Sequence, residues 1–305
     1  MRLRRDPPRG RFSLGGQAQS MWVNRIQTYG RLIKFSHTIF ALPFALAAVM
    51  FAHRQHPVTL TNLILILLAM AFARSAAMGF NRYADQHFDA MNPRTAGRPH
   101  TTGQIDRRSI LTFVTASSLL FILTAALLGR LCLALSLPVL FVLFFYSYTK
   151  RFTSLSHLVL GFAIGLAPIG AWIAATGGFD PRILLLSCAL MTYIAGFDIL
   201  YACQDIEFDR KACLFSIPAD WGIHSALRFS SLLHSITFCS FVSLYFAFEM
   251  GRIYLLFLLL ITILLVIEHR LVQPDRIERV NFAFFHVNGA ISILLFLGVL
   301  TGVSF

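Results

Sequence analysis

Long apolar stretches recur along the whole chain and are separated by shorter polar segments. Stretches such as LILILLAMAFA and YLLFLLLITILLVI are apolar on all sides and lack the alternation expected of strands in a membrane barrel. A helix needs about 20 mostly apolar residues to cross the hydrocarbon layer of a bilayer. Stretches approaching that length are 32–52, 59–80, 109–128, 131–148, 156–175, 183–203, 226–248, 253–268 and 282–302. We therefore predict an all-α integral membrane protein with about nine transmembrane helices.

The polar segments divide the basic residues unequally between the two sides of the membrane. With the N-terminus in the cytoplasm, nine spans place 21 of the 26 Lys and Arg residues on the cytoplasmic side and 4 on the other, with Arg74 inside a span. Cytoplasmic loops of membrane proteins carry such an excess. The pattern predicts a cytoplasmic N-terminus, and it accounts for the net charge of +12 without a nucleic-acid partner.

Composition excludes the soluble and the disordered classes. Hydrophobic residues make up 57% of the chain and charged residues 13%, whereas soluble domains are about 45–50% apolar and about 25% charged. The 5 Cys residues include no CxxC pair, which indicates reduced thiols rather than a disulfide framework. We expect residues 1–30 to form a basic arm, disordered or lying on anionic lipid, with Met21 as an alternative start, and residues 31–305 to form the membrane domain.

Two short acidic runs stand out in a chain with only 14 Asp and Glu residues. The first, 81–89, reads NRYADQHFD, and the second, 201–211, reads YACQDIEFDRK. Each contains Tyr-Ala and two Asp residues four apart, with Phe before the second Asp, which suggests an internal duplication. The runs begin the two long loops, 81–108 and 204–225, which we expect on the cytoplasmic side.

The spacing within each run predicts a ligand. Two Asp residues four apart on a helix place both carboxylates on one face, and like charges at that spacing destabilise a helix unless something binds them. Carboxylate oxygens suit Mg²⁺, which often also takes phosphate oxygens, so two facing runs can hold a diphosphate. Arg74 continues the face of the first pair, and Asp198 continues that of the second. Solvated surface charge is the alternative for the acids, and a structural ion pair is the alternative for Arg74 and Asp198.

Longer motifs surround these acids. NxxxDxxxD at 81–89 is followed by NPRTAGRP at 92–99, DxxYxxxDxxxD lies at 198–209, and YSYTKRFT lies at 146–153. With these motifs the chain, from about residue 31 onwards, resembles the UbiA superfamily of membrane prenyltransferases. Within that superfamily it is most similar to the 4-hydroxybenzoate polyprenyltransferase branch of quinone synthesis.

The resemblance implies nine helices around a central cavity and Mg²⁺-dependent transfer of a chain from a polyprenyl diphosphate to an aromatic acid such as 4-hydroxybenzoate. It implies that Asn81 orients the metal-bound group or the diphosphate. The implied metal-binding and catalytic carboxylates are Asp85, Asp89, Asp205 and Asp209. The implied partners of the phosphate oxygens are Arg94, Lys150, Arg151 and Lys211.

The allylic cation and the acceptor need further groups. Tyr146 and Tyr201 are candidates to stabilise the cation through their ring faces. Either Arg74 or Arg151 can pair with the carboxylate of the acceptor. Asp198 is a candidate base for the ring proton, and the released diphosphate is the alternative base.

Two departures from the branch pattern leave the acceptor open. The first span reads FSHTIFALPFA at 35–45, which resembles a sister group linked to menaquinone synthesis by the futalosine route. Cys213 stands where such relatives often carry Gly, which puts the geometry of that loop in question. Prenylation of haem or chlorophyll and terpene cyclisation are alternatives within the superfamily.

A cation-coupled transporter is the alternative from another class of protein. Transporters usually place their ion-binding groups near the bilayer midplane, whereas these acids gather at one membrane face. We therefore expect a multi-pass enzyme of the inner (cytoplasmic) membrane with its active site at the cytoplasmic face. Its partners are the diphosphate donor, the aromatic acid and membrane lipid.

Overall fold

A computed structural model describes residues 27–34, 38, 40–274, 277 and 280–304. Most of the predicted basic arm and residues 35–37 and 39 of the first predicted span lie outside the described residues. The described part is helical and contains no β-strand. Its helices are α1 (Leu42–Gln55), α2 (Leu60–Ala84), α3 (Gln86–Met91), α4 (Arg107–Leu128), α5 (Arg130–Thr149), α6 (Ser156–Thr176), α7 (Ile183–Ala202), α8 (Ile206–Lys211), α9 (Ile217–Trp221), α10 (Ile223–Ala247), α11 (Ile253–Leu271) and α12 (Asn288–Ser304), the last preceded by a helical turn (Val280–Phe282) and a π-helical turn (Ala283–Val287).

Eight helical segments among the described residues are long and apolar enough to cross a membrane, and they coincide with eight of the nine predicted spans. The first predicted span, 32–52, overlaps α1, which has 14 residues and begins at Leu42 with Pro43 in its first turn. Large apolar side chains such as Leu137, Phe141 and Leu256 point away from the bundle. Such a surface suits lipid. The chain is an integral membrane protein, while the count of nine spans and the side of the N-terminus stay predictions.

Helix α7 is the most buried of the long helices that the structure describes, and most of its side chains are apolar. Leu190 and Tyr193 are fully buried, and the Tyr193 ring stacks on Phe44 of α1 with 5.8 Å between the ring centroids. A Cβ atom at Gly161 of α6 would lie 2.3 Å from the carbonyl oxygen of Met191. Glycine at this position therefore allows α6 to pack directly against the backbone of α7.

The same backbone bend occurs in both acidic runs. Asp85, with φ −96° and ψ 7°, separates α2 from the six-residue α3. Asp205, with φ −105° and ψ 6°, separates the end of α7 and a 3₁₀ turn from the six-residue α8. The Asp spacing predicted an uninterrupted helix through each pair, whereas each helix bends at its first Asp. The amide of Asp89 still donates to the carbonyl oxygen of Asp85 at 2.8 Å, so the turn between the two carboxylates is preserved.

The loop after α8 accommodates Cys213 in a conformation that favours glycine. Cys213 has φ +53°, in the left-handed region. Two residues later, the amide of Phe215 donates to the carbonyl oxygen of Lys150 at 2.7 Å. This hydrogen bond ties the loop to the end of α5, close to the acidic runs.

Candidate active site

Both acidic runs open onto one cavity of about 260 Å³, where α2, α5 and α7 end and α6 begins. Lys211 is the one predicted site residue that does not line it. The predicted site residues that do line it are Arg74, Asn81, Asp85, Asp89, Arg94, Tyr146, Lys150, Arg151, Asp198, Tyr201, Asp205 and Asp209. Residues separated by more than 100 positions in the chain thus meet in one place.

The cavity lining is rich in charge and positive on balance. Seven cationic side chains line it, against five carboxylates. The cationic residues are Lys34, Arg74, Arg82, Arg94, Arg98, Lys150 and Arg151. A low-dielectric cleft with this balance concentrates anionic ligands.

Asp89 is held by basic groups from its own half of the chain. Arg98 Nη1 donates to both carboxylate oxygens at 2.7 Å, and His100 Nε2 lies 2.9 Å from Oδ2. Arg82 Nη1 lies 3.5 Å from the same oxygen. Burial acts to raise the pKa of Asp89, but the hydrogen bond with His100 and the charges of Arg82 and Arg98 outweigh it and hold this pKa well below its usual range.

Asp85 has a weaker set of partners. Asn81 Nδ2 donates to its Oδ2 at 2.8 Å, and Arg151 Nη2 lies 3.6 Å from Oδ1. Burial, followed by the charge of Asp89, raises the pKa of Asp85 to about 6. The two carboxylates of the first run are therefore unequal, and Asp85 is the one with the less compensated charge.

Asp205 of the second run is held by the loop that follows the first run. Asn92 Nδ2 donates to its Oδ1 at 3.1 Å, and Arg94 Nε donates to the same oxygen at 3.0 Å. Arg94 also donates to Oδ2 through Nη2 and to the Tyr201 hydroxyl through Nη1, at 2.9 Å in the second case. One arginine thus joins both carboxylate oxygens to the tyrosine one turn earlier.

Asp209 pairs with the end of α5. Lys150 Nζ lies 3.4 Å from Asp209 Oδ2, and the Asp209 side chain is almost fully buried. Burial acts to lower the pKa of Lys150, but the charges of Asp209, Asp198 and Asp205 together outweigh it, and the pKa is raised. The next residue, Arg151, faces Asp85. The Lys150-Arg151 pair therefore contacts both acidic runs.

Arg74 and Asp198 lie apart from these acids and do not pair with each other among the described residues. Arg74 Nη2 donates to the carbonyl oxygen of Lys34 at 3.1 Å, and its buried Nε has no hydrogen-bond partner in the part of the chain that the structure covers. Asp198 Oδ2 lies 2.7 Å from His157 Nδ1. The structural ion pair between Arg74 and Asp198 is thus absent from the described contacts.

Several groups that contact the acids were not selected from the sequence. Asn92 and Arg98 lie within the NPRTAGRP motif, which gave their positions but not their partners. Arg82 follows Asn81 directly, and helical spacing alone places it on another face. His100 and His157 carry no spacing signal, because each meets its partner through the tertiary fold.

Lys211 lies outside the cavity. Its side chain is 80% exposed, and Nζ lies 4.0 Å from Glu207 Oε2, one helical turn earlier. The position of Lys211 in the motif therefore does not bring it to the other predicted phosphate-binding groups in this structure.

The carboxylates fit a hard divalent cation in chemistry. The described residues contain no group of three or more His, Cys, Asp or Glu side chains arranged as metal ligands. Mg²⁺, however, is usually held by one or two carboxylates together with substrate phosphates and water rather than by a complete protein cage. Each acidic run supplies one pair of carboxylates at the cavity, so the donor set suits a metal that arrives with a phosphorylated ligand.

A bundle of membrane helices with paired acids and a cationic cavity at one end defines a membrane enzyme that acts on an anionic substrate. The model of the UbiA prenyltransferase family matches residues 41–289. The chain belongs to this family.

Similar proteins extend this result over most of the chain. A 4-hydroxybenzoate octaprenyltransferase of Yersinia pseudotuberculosis is 30% identical over 292 residues, covering 94% of this chain and 98% of the relative. One from Photobacterium profundum is 29% identical over 241 residues, covering 78% and 82%.

Solved structures share the fold. A UbiA homolog from Aeropyrum pernix has a TM-score of 0.79 and 33% identity, covering 87% of this chain and 97% of that one. A UbiA homolog from Archaeoglobus fulgidus, solved bound to DMAPP and Mg²⁺, has a TM-score of 0.66 and 22% identity, covering 87% and 99%. The latter likeness concerns the fold alone.

Proposed function

We propose that this protein transfers a polyprenyl chain from polyprenyl diphosphate to the ring of an aromatic acid such as 4-hydroxybenzoate, releasing diphosphate, in quinone biosynthesis. The observation that carries the proposal is the meeting of both acidic runs and seven cationic side chains at one cavity of a membrane bundle. The activity named for the Yersinia and Photobacterium relatives supports the choice of acceptor.

The diphosphate of the donor binds among Arg94, Arg98 and Lys150. Guanidinium groups bind phosphate oxygens through paired N–H groups, and an ammonium adds a point charge. In this structure each of the three cations is held by a carboxylate of the acidic runs. The acids thereby orient the phosphate-binding groups before the donor arrives.

The four carboxylates would also hold Mg²⁺, with Asn81 orienting Asp85 through its hydrogen bond. When bound, Mg²⁺ neutralises charge that develops on the leaving diphosphate. The proposed ligands are Asp85, Asp89, Asp205 and Asp209.

Arg74, rather than Arg151, pairs with the carboxylate of the acceptor. Buried polar groups normally have hydrogen-bond partners, yet Arg74 Nε and the hydroxyls of Ser147 and Ser156 line the cavity without one among the described residues. A polar aromatic acid satisfies such groups. Arg151 instead donates to the carbonyl oxygen of Ala84 at 2.7 Å at the exposed mouth of the cavity.

Tyr146 faces the allylic cation, and Tyr201 orients Arg94. The Arg94 guanidinium already lies over the Tyr201 ring, 5.0 Å from its centroid, so that ring face is engaged. Tyr146 lines the same cavity and can stabilise the cation through its own ring. Apolar lining residues, including Leu160 and Ile164, keep water from the reacting carbon.

Asp198 accepts the ring proton after the new carbon–carbon bond forms. It lines the cavity about 10 Å along the helix from Asp205, away from the proposed metal ligands. The enzyme lies in the inner (cytoplasmic) membrane with this cavity at the cytoplasmic face, because the basic loops lie at the same end as the acidic runs.

The test is an assay on membranes carrying the protein, with geranyl diphosphate and 4-hydroxybenzoate, in Mg²⁺ or in EDTA, and mass spectrometry of the products. We expect prenylated 4-hydroxybenzoate in Mg²⁺ and none in EDTA. Diphosphate release that requires a different aromatic acid would preserve the reaction and replace the acceptor, with a menaquinone precursor as the first candidate. Absence of release with every aromatic acid would overturn the proposal.

A further inference from the structure

Asp198 differs from the other cavity carboxylates in its partner. Within the described chain it makes no ion pair with Lys or Arg, and its close contact is with His157, whose Nδ1 lies 2.7 Å from Asp198 Oδ2. The Asp198 side chain is 25% exposed, towards the cavity, whereas His157 is fully buried behind it. Asp198 therefore has the cavity on one side and the buried His157 ring on the other.

The hydrogen-bond partners of the two His157 ring nitrogens indicate how this residue acts on Asp198. Its Nε2 atom is buried and has no hydrogen-bond partner in the described part of the chain. A carboxylate oxygen accepts hydrogen bonds, so His157 Nδ1 is the donor in its contact with Asp198 Oδ2. This is the one hydrogen bond of the His157 side chain within the described residues.

This hydrogen bond fixes one oxygen of Asp198 and leaves the other for a ligand. Oδ1 makes no hydrogen bond among the described contacts, and Asp198 lines the cavity. Without a donor on Oδ2 the carboxylate would be free to rotate about χ2, which is a broad torsion. A base acts efficiently only when it is held within reach of the proton that it accepts.

We propose that His157 is a positioning residue that holds the Asp198 carboxylate towards the aromatic acceptor. The inference rests on the proposed function. In the reaction the C–O bond of the donor breaks and its electron pair leaves with the diphosphate, while a ring carbon of the acceptor bonds to the allylic carbon. The ring then loses a proton to Asp198 Oδ1, which restores aromaticity, and the neutral carboxyl returns this proton to water.

Two substitutions at His157 test the role of Nδ1. In His157→Asn, Nδ2 stands at about the place of Nδ1 and can still donate to Asp198, whereas His157→Leu removes the donor and keeps similar bulk. A positioned base contributes about 10²–10⁴-fold to a rate, so we expect His157→Leu to lower kcat about 10- to 100-fold. The KM for geranyl diphosphate should stay unchanged. The Asn variant should recover most of the lost rate.

A double-mutant cycle separates positioning from a general structural effect. If His157 acts through Asp198, His157→Leu has little further effect on kcat in an Asp198→Asn background, because coupled groups are not additive. Independent, multiplying effects would overturn the proposal, as would a wild-type kcat in His157→Leu. If the Leu variant fails to accumulate in membranes, His157→Gln replaces it, because its amide reaches beyond the Nδ1 position. Absence of diphosphate release by the wild type with every aromatic acid would instead overturn the proposed function.

Discussion

The two acidic runs share a sequence pattern and a backbone bend, yet their carboxylates have different partners. In the first run, Asp85 and Asp89 are held mainly by groups within residues 81–100. In the second run, Asp205 is held by Asn92 and Arg94, more than 100 residues earlier in the chain. The repeated pattern therefore specifies a repeated backbone, while one loop, 92–100, supplies polar partners to both runs.

The loop after the first run, 92–100, therefore contacts carboxylates of both runs. Arg98 and His100 turn back to Asp89, and Arg94 crosses to Asp205. The second run contributes no corresponding cation to the described contacts of the cavity from its own exposed end, where Lys211 Nζ lies 4.0 Å from Glu207 Oε2. The two matching runs thus have different roles in the described contacts: the loop after the first run supplies cations, and the carboxylate of Asp205 in the second run accepts one of them.

The largest effect is expected from removing the first carboxylate of either run. Asp85→Ala and Asp205→Ala each take away a proposed metal ligand and leave nearby cations unpaired, so we expect kcat/KM to fall at least about 100-fold. Activity per amount of folded protein in the membrane is the measurement. Glu207→Ala is the matched control, because Glu207 lies in the second run but its side chain is 91% exposed. Wild-type kcat/KM in Asp205→Ala would contradict the proposal that the reaction requires carboxylates from both runs.

The next effect tests whether the first loop serves both runs. Arg94→Ala removes the guanidinium that joins Asp205 to Tyr201, and Arg98→Ala removes the one on Asp89. Because hydrogen bonds to charged groups contribute about 1.5–3 kcal/mol, we expect each change to raise the KM for geranyl diphosphate about 10- to 100-fold. The KM for 4-hydroxybenzoate should change little. If Arg94→Ala raised only the KM for 4-hydroxybenzoate, the proposal that both runs bind the donor diphosphate would be wrong.

More of the fold than of the candidate site could be predicted from the sequence. Membrane thickness and apolar runs determine where helices lie, so eight spans follow from composition along the chain. The tight contact of α6 and α7 lies at Gly161 and Gly165, whose spacing of four is typical of close helix packing, but the structure is needed to show that α7 is the partner. The first span, 32–52, stays a prediction, since the structure describes it only in part, with the 14-residue α1 beginning at Leu42.

The sequence did not predict those contacts of the site that depend on how distant segments pack together. The Asp pairs indicated two facing ligands, and the structure brings both to one cavity. Nothing local indicated that Arg94 reaches Asp205 or that His157 reaches Asp198, because such contacts arise from the packing of distant helices. The bend at each first Asp was likewise missed, since spacing of four fits a straight helix equally well.

A smaller effect, on the KM of one substrate only, is expected from removing either Arg74 or Arg151. Arg74→Ala removes the proposed partner of the acceptor carboxylate, so we expect the KM for 4-hydroxybenzoate to rise about tenfold with little change for the donor. Arg151→Ala, at the mouth beside Asp85, should affect the donor more than the acceptor. Initial rates with one substrate varied at saturating levels of the other give both constants. An unchanged acceptor KM would leave Arg74 the structural task of holding the Lys34 carbonyl.

The smallest effect is expected at Lys211, which motif position suggested as a phosphate ligand. Its ammonium is exposed and 4.0 Å from Glu207, and exposed ion pairs contribute at most about 1 kcal/mol. We therefore expect Lys211→Ala to change the KM for geranyl diphosphate by less than about twofold, within the range of a lost surface pair. Lys150→Ala is the matched comparison, since Lys150 faces the buried Asp209 and should show the larger change. A large rise in donor KM for Lys211→Ala would mean that α8 moves towards the cavity when the donor binds, and that the second run supplies a cation of its own.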